Sequence, residues 1–241
     1  MALGMKPFTR LGVTEAGATA RQRAGREMQA TKVGAALWIG CLQYFAAEAI
    51  AIQGWHGSYS LSLNYISDLA AVHCVAGAIC SPLHPLMNAS FLLQGALILS
   101  GAVLLWPRLA QGGMASLGLG LVGASGLGVF LVGLAPEDVS PTWHYVGAVE
   151  NFLFCNAGAA LIGAALFSRH GTVGGLGMAA GVLGLAGIAC IGAHAYFGLG
   201  AGGMERVTAY PFPLWIAGMG IWLWRNANPW TRSPTAEIPP G

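Results

Sequence analysis

Six runs of apolar residues dominate the chain, at 33–53, 90–106, 114–134, 144–167, 173–197 and 207–224. A hydrocarbon core of about 30 Å takes roughly 20 residues of helix to cross, and the runs match that length. None shows the alternation of apolar and polar positions that the roughly ten-residue strands of a membrane barrel require. Lipid offers backbone amides no partner, so continuous runs of this kind satisfy their own hydrogen bonds as helices. The pattern predicts an all-α polytopic membrane protein. A six-transmembrane-helix bundle occupies 33–225, with an outer loop at 54–89. The tails 1–32, which is basic, and 226–241, which is rich in proline, are expected to lack fixed structure.

Composition changes the picture only by removing alternatives. The chain is 55% hydrophobic and 8% charged, whereas a soluble domain carries about 25% charged residues. Net charge is +2, and no basic stripe with interleaved aromatics occurs, so nucleic acid is not an expected partner. Of the 11 Lys and Arg, Lys6, Arg10, Arg21, Arg23, Arg26, Lys32, Arg108, Arg169, Arg225 and Arg232 fall on one side of the predicted membrane. Arg206 alone falls on the other. The positive-inside bias places both termini in the cytoplasm of a multi-pass protein of the bacterial inner (plasma) membrane. Trp38, Trp106, Phe167, Trp222 and Trp224 mark the inner interface, and Trp55, Trp143, Tyr145, Tyr196, Phe197 and Tyr210 the outer one. The first run is too long for the 7–15-residue core of a signal peptide.

Small residues recur at helical spacing. Ser116, Gly120, Ala124 and Gly128 form one row and Gly177, Gly181 and Gly184 another. Both rows are read as close-packing seams within the monomer.

The polar residues in and beside the runs collect at the outer ends: Glu48, Asp68, Asn88, His144, Glu150, Asn151, His194, Glu205, Arg206 and Tyr210. An ionisable group at a span centre costs about 2.5–3.5 kcal/mol on insertion scales. Each residue taken singly can be a group snorkelling to water or a hydrogen bond between helices. Their convergence points to an outward-facing pocket lined by Asp68, His144, Glu150, His194 and Arg206, with Glu48, Asn88, Asn151 and Tyr210 beside it. The expected ligand is a membrane lipid or other amphiphile, with Arg206 meeting an anionic headgroup. Whether the site also modifies its ligand stays open. If it does, Asp68, His144, Glu150 and His194 are the catalytic candidates. Glu150 is expected to couple with Arg206, with Glu48 as the competing partner.

No cofactor or metal is expected. The histidines lack His-Glu-x-x-His or His-x-x-x-His spacing, Ser67, Asp68 and His144 lack a Gly-x-Ser-x-Gly elbow, and phosphate-loop and dinucleotide fingerprints are absent. Cys74 and Cys80 lie in the outer loop, in an oxidising compartment, and a disulfide between them is expected, with two free thiols as the alternative. Cys41, Cys155 and Cys190 are packing residues within helices. Two rival functions remain. One is a structural or accessory subunit that packs against membrane-protein partners through its glycine-rich faces. The other is a small-solute transporter, weakened by the lack of mid-membrane charge and of inverted repeats.

Four segments carry a family resemblance: Tyr65-Ile-Ser-Asp-Leu69, Pro85-Leu-Met-Asn-Ala-Ser-Phe91, His144-Tyr-Val-Gly147, and Glu205-Arg-Val-Thr-Ala-Tyr-Pro211 followed by Leu214-Trp215. In this order the chain resembles, over roughly 33–225, the bacterial and archaeal membrane family catalogued as domain of unknown function nine-nine-eight. The resemblance implies a six-helix fold and no particular activity. That family is distantly similar to the Frag1, DRAM and Sfk1 group, linked to lipid organisation and membrane trafficking. A second comparison is with membrane hydrolases related to alkaline ceramidase, which use a Ser, an Asp and three His, including a His-x-x-x-His pair in the last helix. The sixth run here has no histidine, so that mechanism is not carried over.

Overall fold

The computed structural model describes residues 11–75 and 79–226, without the side chains of 11–16 and 18. The expected tails therefore lie outside the described residues at 1–10 and 227–241. The chain is all-helical: α1 Leu11–Gly40, α2 Gln43–Gln53, α3 His84–Leu109, α4 Gly113–Leu134, α5 Pro141–Phe167, α6 Gly171–Gly192, α7 Gly200–Ala209 and α8 Pro211–Arg225, with one 3-10 turn at Ser67–Ala70. It is a helical membrane bundle. Five segments are long and apolar enough to cross a bilayer unaided: Thr19–Gln53, His84–Leu109, Gly113–Leu134, Pro141–Phe167 and Gly171–Gly192.

The first and last crossings are broken. Between α1 and α2 the amides of Cys41 and Leu42 reach back three residues, to Trp38 and Ile39. This tightened turn lets one crossing continue past the break. At the other end, α8 has 15 residues, about 22 Å at 1.5 Å per residue. Alone it falls short of a 30 Å core. Tyr210 caps both α7 and α8, and Pro211 has no amide to continue the ladder, so the apolar run 207–224 straddles a break rather than forming one rod.

Two further boundaries differ from expectation. α1 begins at Leu11, so residues 11–32 of the expected unstructured tail continue the first crossing as helix, exposed at 19–29. α6 stops at Gly192, five residues short of the apolar run, because His194 (φ 52°) and Phe197 (φ 49°) adopt the left-handed region, which ends a right-handed helix.

The helices pack as a ring in chain order. α1 lies against α3, then α3 on α4, α4 on α5, α5 on α6, and α6 on α7 and α8, and the contact of α8 with α1 closes the ring. The antiparallel approach of α1 and α8 puts both described ends of the chain on one side, the basic one. Glycines set the spacing. A Cβ on Gly118 would stand 3.0 Å from the Gly158 carbonyl oxygen, and one on Gly126 2.8 Å from that of Gly95. Such contacts are tighter than the backbone tolerates, so α4 approaches α3 and α5 only without side chains there. The expected row on α4 is corrected accordingly. Gly120 is exposed and meets nothing nearer than the Trp106 ring at 4.0 Å; of the two glycines in that row, Gly128 alone sits in a seam. A helix wedged between two neighbours needs bare backbone on two faces, which no single row supplies. On α6 the row holds: Gly177 meets the Trp215 indole, and Gly181 and Gly184 pack on Asn156.

Candidate functional site

The segment after α2 folds back over the outer ends of the helices, and one side chain holds it there. Arg206, on α7, is 8% exposed. Its Nη1 donates to the carbonyls of Leu61 (3.0 Å), Asn64 (2.9 Å) and Gly202 (3.0 Å). Its Nη2 donates to Glu48 Oε1 (3.1 Å) and to the Tyr59 hydroxyl (2.5 Å), and its Nε to the Tyr210 hydroxyl (3.1 Å). Tyr210 in turn donates to Glu48 Oε1 at 2.7 Å. A guanidinium has five N–H donors in a fixed fork, and all are used within the protein. Glu48, 4% exposed on α2, is therefore a paired carboxylate, as a charge buried in lipid must be.

Neighbouring carboxyls extend the clasp. Glu205 accepts the Ile66 amide at 2.5 Å. Asp68 Oδ2 accepts the Asn64 side-chain amide (3.1 Å) and the Tyr65 amide (2.9 Å), which fixes the 3-10 turn. Glu137 hydrogen-bonds Ser67 and Asp68, and burial first, then Asp68, pushes its carboxyl up to about 7. Asp138 accepts the amides of Val72 (3.1 Å) and His73 (2.6 Å) and pairs with the His73 ring at 2.9 Å. Burial raises its carboxyl, but these hydrogen bonds prevail and hold it below the usual carboxylate range. Ser81 donates to the Leu69 carbonyl (2.6 Å) and Asn88 to that of Ala70 (2.9 Å). Cys74 and Cys80 form a disulfide that closes the exposed end of the loop.

Under this clasp lies a cavity of about 80 Å³ inside the ring. At about 10–15 Å³ per water-sized sphere, it has room for several waters or a narrow aliphatic chain. Most of its wall is apolar: Phe91, Ile98, Val129, Val132, Cys155 and Phe212. Ser67, His144 and Glu205 stand at its outer end, and Asn151 and Gln94 lie deeper, each ten residues into its helix. His144 is buried and donates Nδ1–H to the Ala135 carbonyl (2.9 Å), which leaves Nε2 as its free ring position. Gln94 is held by Gln43, which donates to Gln94 Oε1 and to the Ser90 carbonyl (3.1 Å each) and accepts the Ser90 hydroxyl (3.0 Å). Among the lining residues, Ser67, Ala148, Asn151, Phe152 and Ala209 are partly exposed. They mark where the cavity opens, along α5, the end of α7 and the loop.

The structure brings His144 and Asn151 together at the cavity, with Asp68 one residue from its rim. It moves the other expected residues elsewhere. Glu48, Arg206 and Tyr210 form the clasp, not a headgroup receptor. The expected coupling of Glu150 with Arg206 is overturned, because Glu48 and two tyrosines take the guanidinium. Glu150 instead lies against the Gly128 backbone, where its Oε2 is buried without a partner. His194 is exposed and bonds Tyr196 at 3.1 Å, beyond the end of α6. Asn88 fastens the loop. Sequence reasoning missed Glu137, Gln43 and Gln94. The signal was present for Glu137, an acid two residues after Ala135 in a short outer connection, but nothing in the chain assigned it a partner.

Residues 38–222 match the family model described as protein of unknown function, DUF998. No curated protein and no solved structure matches the chain.

Proposed function

Starting from the premise that the chain belongs to the DUF998 family, we propose that it is a membrane protein that binds an amphiphile in its central cavity. The observation that carries this reading is an enclosed, mainly apolar cavity inside the ring, with Ser67, His144 and Glu205 at its outer end and Asn151 and Gln94 deeper within it. An amphiphile offers both the apolar surface and the polar groups to match. The partly exposed lining around Ala148 gives an apolar chain a way in.

The clasp changes the expected chemistry of the ligand. With every Arg206 donor used internally, the cavity offers Ser67, His144, Asn151 and Glu205 and no free guanidinium. It suits a neutral hydroxylated head or a cationic one, in place of the anionic head expected from the sequence. The positive-inside bias continues to favour cytoplasmic termini.

Native mass spectrometry of protein purified in mild detergent tests the reading. Wild type should retain one amphiphile per chain, and Ala148→Phe, which fills the mouth, should release it. An unliganded wild-type mass across several mild detergents would reject the proposal.

A further inference from the structure

A second groove lies at the opposite, basic end of the bundle, on the outside of the seam between α1 and α8. It measures about 350 Å³ and is lined by Ala36, Ile39, Ile221, Trp224 and Arg225. Its floor is the closest approach of the two helices, where a Cβ on Gly220 would stand 2.6 Å from the Ala35 carbonyl oxygen. Lys32 stands at its head, with Nζ 5.8 Å from the centre of the Trp224 ring. Lys32 and Arg225 are both exposed, and neither has an ion-pair partner among the described residues. Glu27, five residues before Lys32, reaches Arg108 of α3 instead, at 3.7 Å.

The two walls change character in the same direction. Along α1 the order is Lys32, Ala36, Ile39; along α8, read inward from its end, it is Arg225, Trp224, Ile221. The α8 wall runs from a cation, past an interfacial indole, to aliphatic surface, and the α1 wall from a cation to small and aliphatic residues. Trp224 is 49% exposed and Ile221 40% exposed, so this surface meets lipid. An anionic phospholipid has the matching order, with phosphate at the interface and an acyl chain below. Basic pockets between helices are a recurring way of holding such headgroups. We propose that this groove is a specific site for one anionic phospholipid, with its phosphate between Lys32 and Arg225 and an acyl chain on Ala36, Ile39 and Ile221. The site is separate from the central cavity, so its fate in experiment is independent of the function proposed above.

The test uses full-length protein in mild detergent, titrated with phosphatidylglycerol or phosphatidylcholine, with bound lipid counted by native mass spectrometry. Wild type should hold one phosphatidylglycerol in preference to phosphatidylcholine. Lys32→Gln with Arg225→Gln should weaken that binding about 30-fold, and Lys32→Arg should preserve it. Ala36→Leu keeps both charges and fills the groove, and should also release the lipid. Arg21→Gln with Arg23→Gln removes the same charge about 15 Å further along α1 and should change nothing. Equal binding of the two lipids, equal loss from the Arg21 and Arg23 pair, or full retention by Ala36→Leu would each overturn the proposal. So would displacement of the lipid by millimolar glycerol phosphate, which would make the ligand a free phosphate, or a dimer that Lys32→Gln abolishes, which would make the occupant a second copy.

Discussion

Removing the Arg206 guanidinium tests the clasp most directly. Arg206→Gln leaves Glu48 buried beneath the loop without its counter-ion and strips the carbonyls of Leu61, Asn64 and Gly202 of their donor. Breaking a buried pair by removing one partner costs about 3–5 kcal/mol. Glu48→Gln is milder. The amide oxygen still accepts from Tyr210, and Arg206 keeps three carbonyls and Tyr59, so the loss should be about 1–3 kcal/mol. The double variant removes the stranded charge and should cost less than the sum by at least about 1 kcal/mol. Glu150→Gln, outside this network, should add to Arg206→Gln within about 0.5 kcal/mol. Cys41 and Cys155 are buried thiols, so a thiol-reactive dye reports their exposure during thermal or denaturant unfolding in detergent. Hydrogen exchange at 58–66 separates loosening of the loop from global unfolding. The clasp reading fails if Arg206→Gln is as stable as wild type, or if Glu48 and Arg206 prove additive while Glu150 and Arg206 do not.

Three further outcomes follow from the geometry. Alkylation without reductant should modify Cys41, Cys155 and Cys190 after denaturation and spare Cys74 and Cys80, and reduction should cost about 2–3 kcal/mol for so short a loop; labelling of all five cysteines would exclude the bridge. Glu137 is raised in the folded state to about 7 from an ordinary value of 4.5, so the folded protein binds more protons than the unfolded one between those values, and stability falls as pH rises through that window; Glu137→Gln should flatten the fall, and an unchanged pH profile would contradict the assignment. Gly158→Ala sets a methyl 2.7 Å from the Gly118 carbonyl oxygen and should cost about 1–3 kcal/mol, whereas Gly120→Ala should be neutral or slightly stabilising; the reverse order in a melting assay would restore the row expected from the sequence.

The sequence revealed what depends on length and sign. Runs such as 114–134 and 173–197 declare helices because lipid admits nothing else, and the outer crowding of His144, Asn151 and Arg206 followed from their positions along those runs. What it withheld was pairing. Arg206 has three carboxylates at comparable depth, Glu48, Glu150 and Asp68, and linear order does not say which helix stands beside α7. Burial of Gln94 depends on Gln43, 51 residues earlier, and neither is meaningful alone. His194 illustrates a different limit: apolar residues run on to Phe197, but the backbone leaves the helix at Gly192, and hydropathy does not register a change in φ. Gly120 shows a third, because a row of small residues marks a face without marking what covers it.

The clasp also has a consequence for how the protein is made. Glu48 and Arg206 are 158 residues apart, so at about 5–20 residues per second the carboxyl enters the bilayer roughly 8–30 s before its partner is synthesised. For that interval it lacks its counter-ion, and the water beside the insertion channel is the environment that suits it. The outer end of the first crossing is satisfied only when α7 arrives, and a ribosome stalled before Arg206 leaves behind a chain with an unpaired acid. Quality-control proteases that survey the bilayer have in that acid a ready mark of an unfinished molecule.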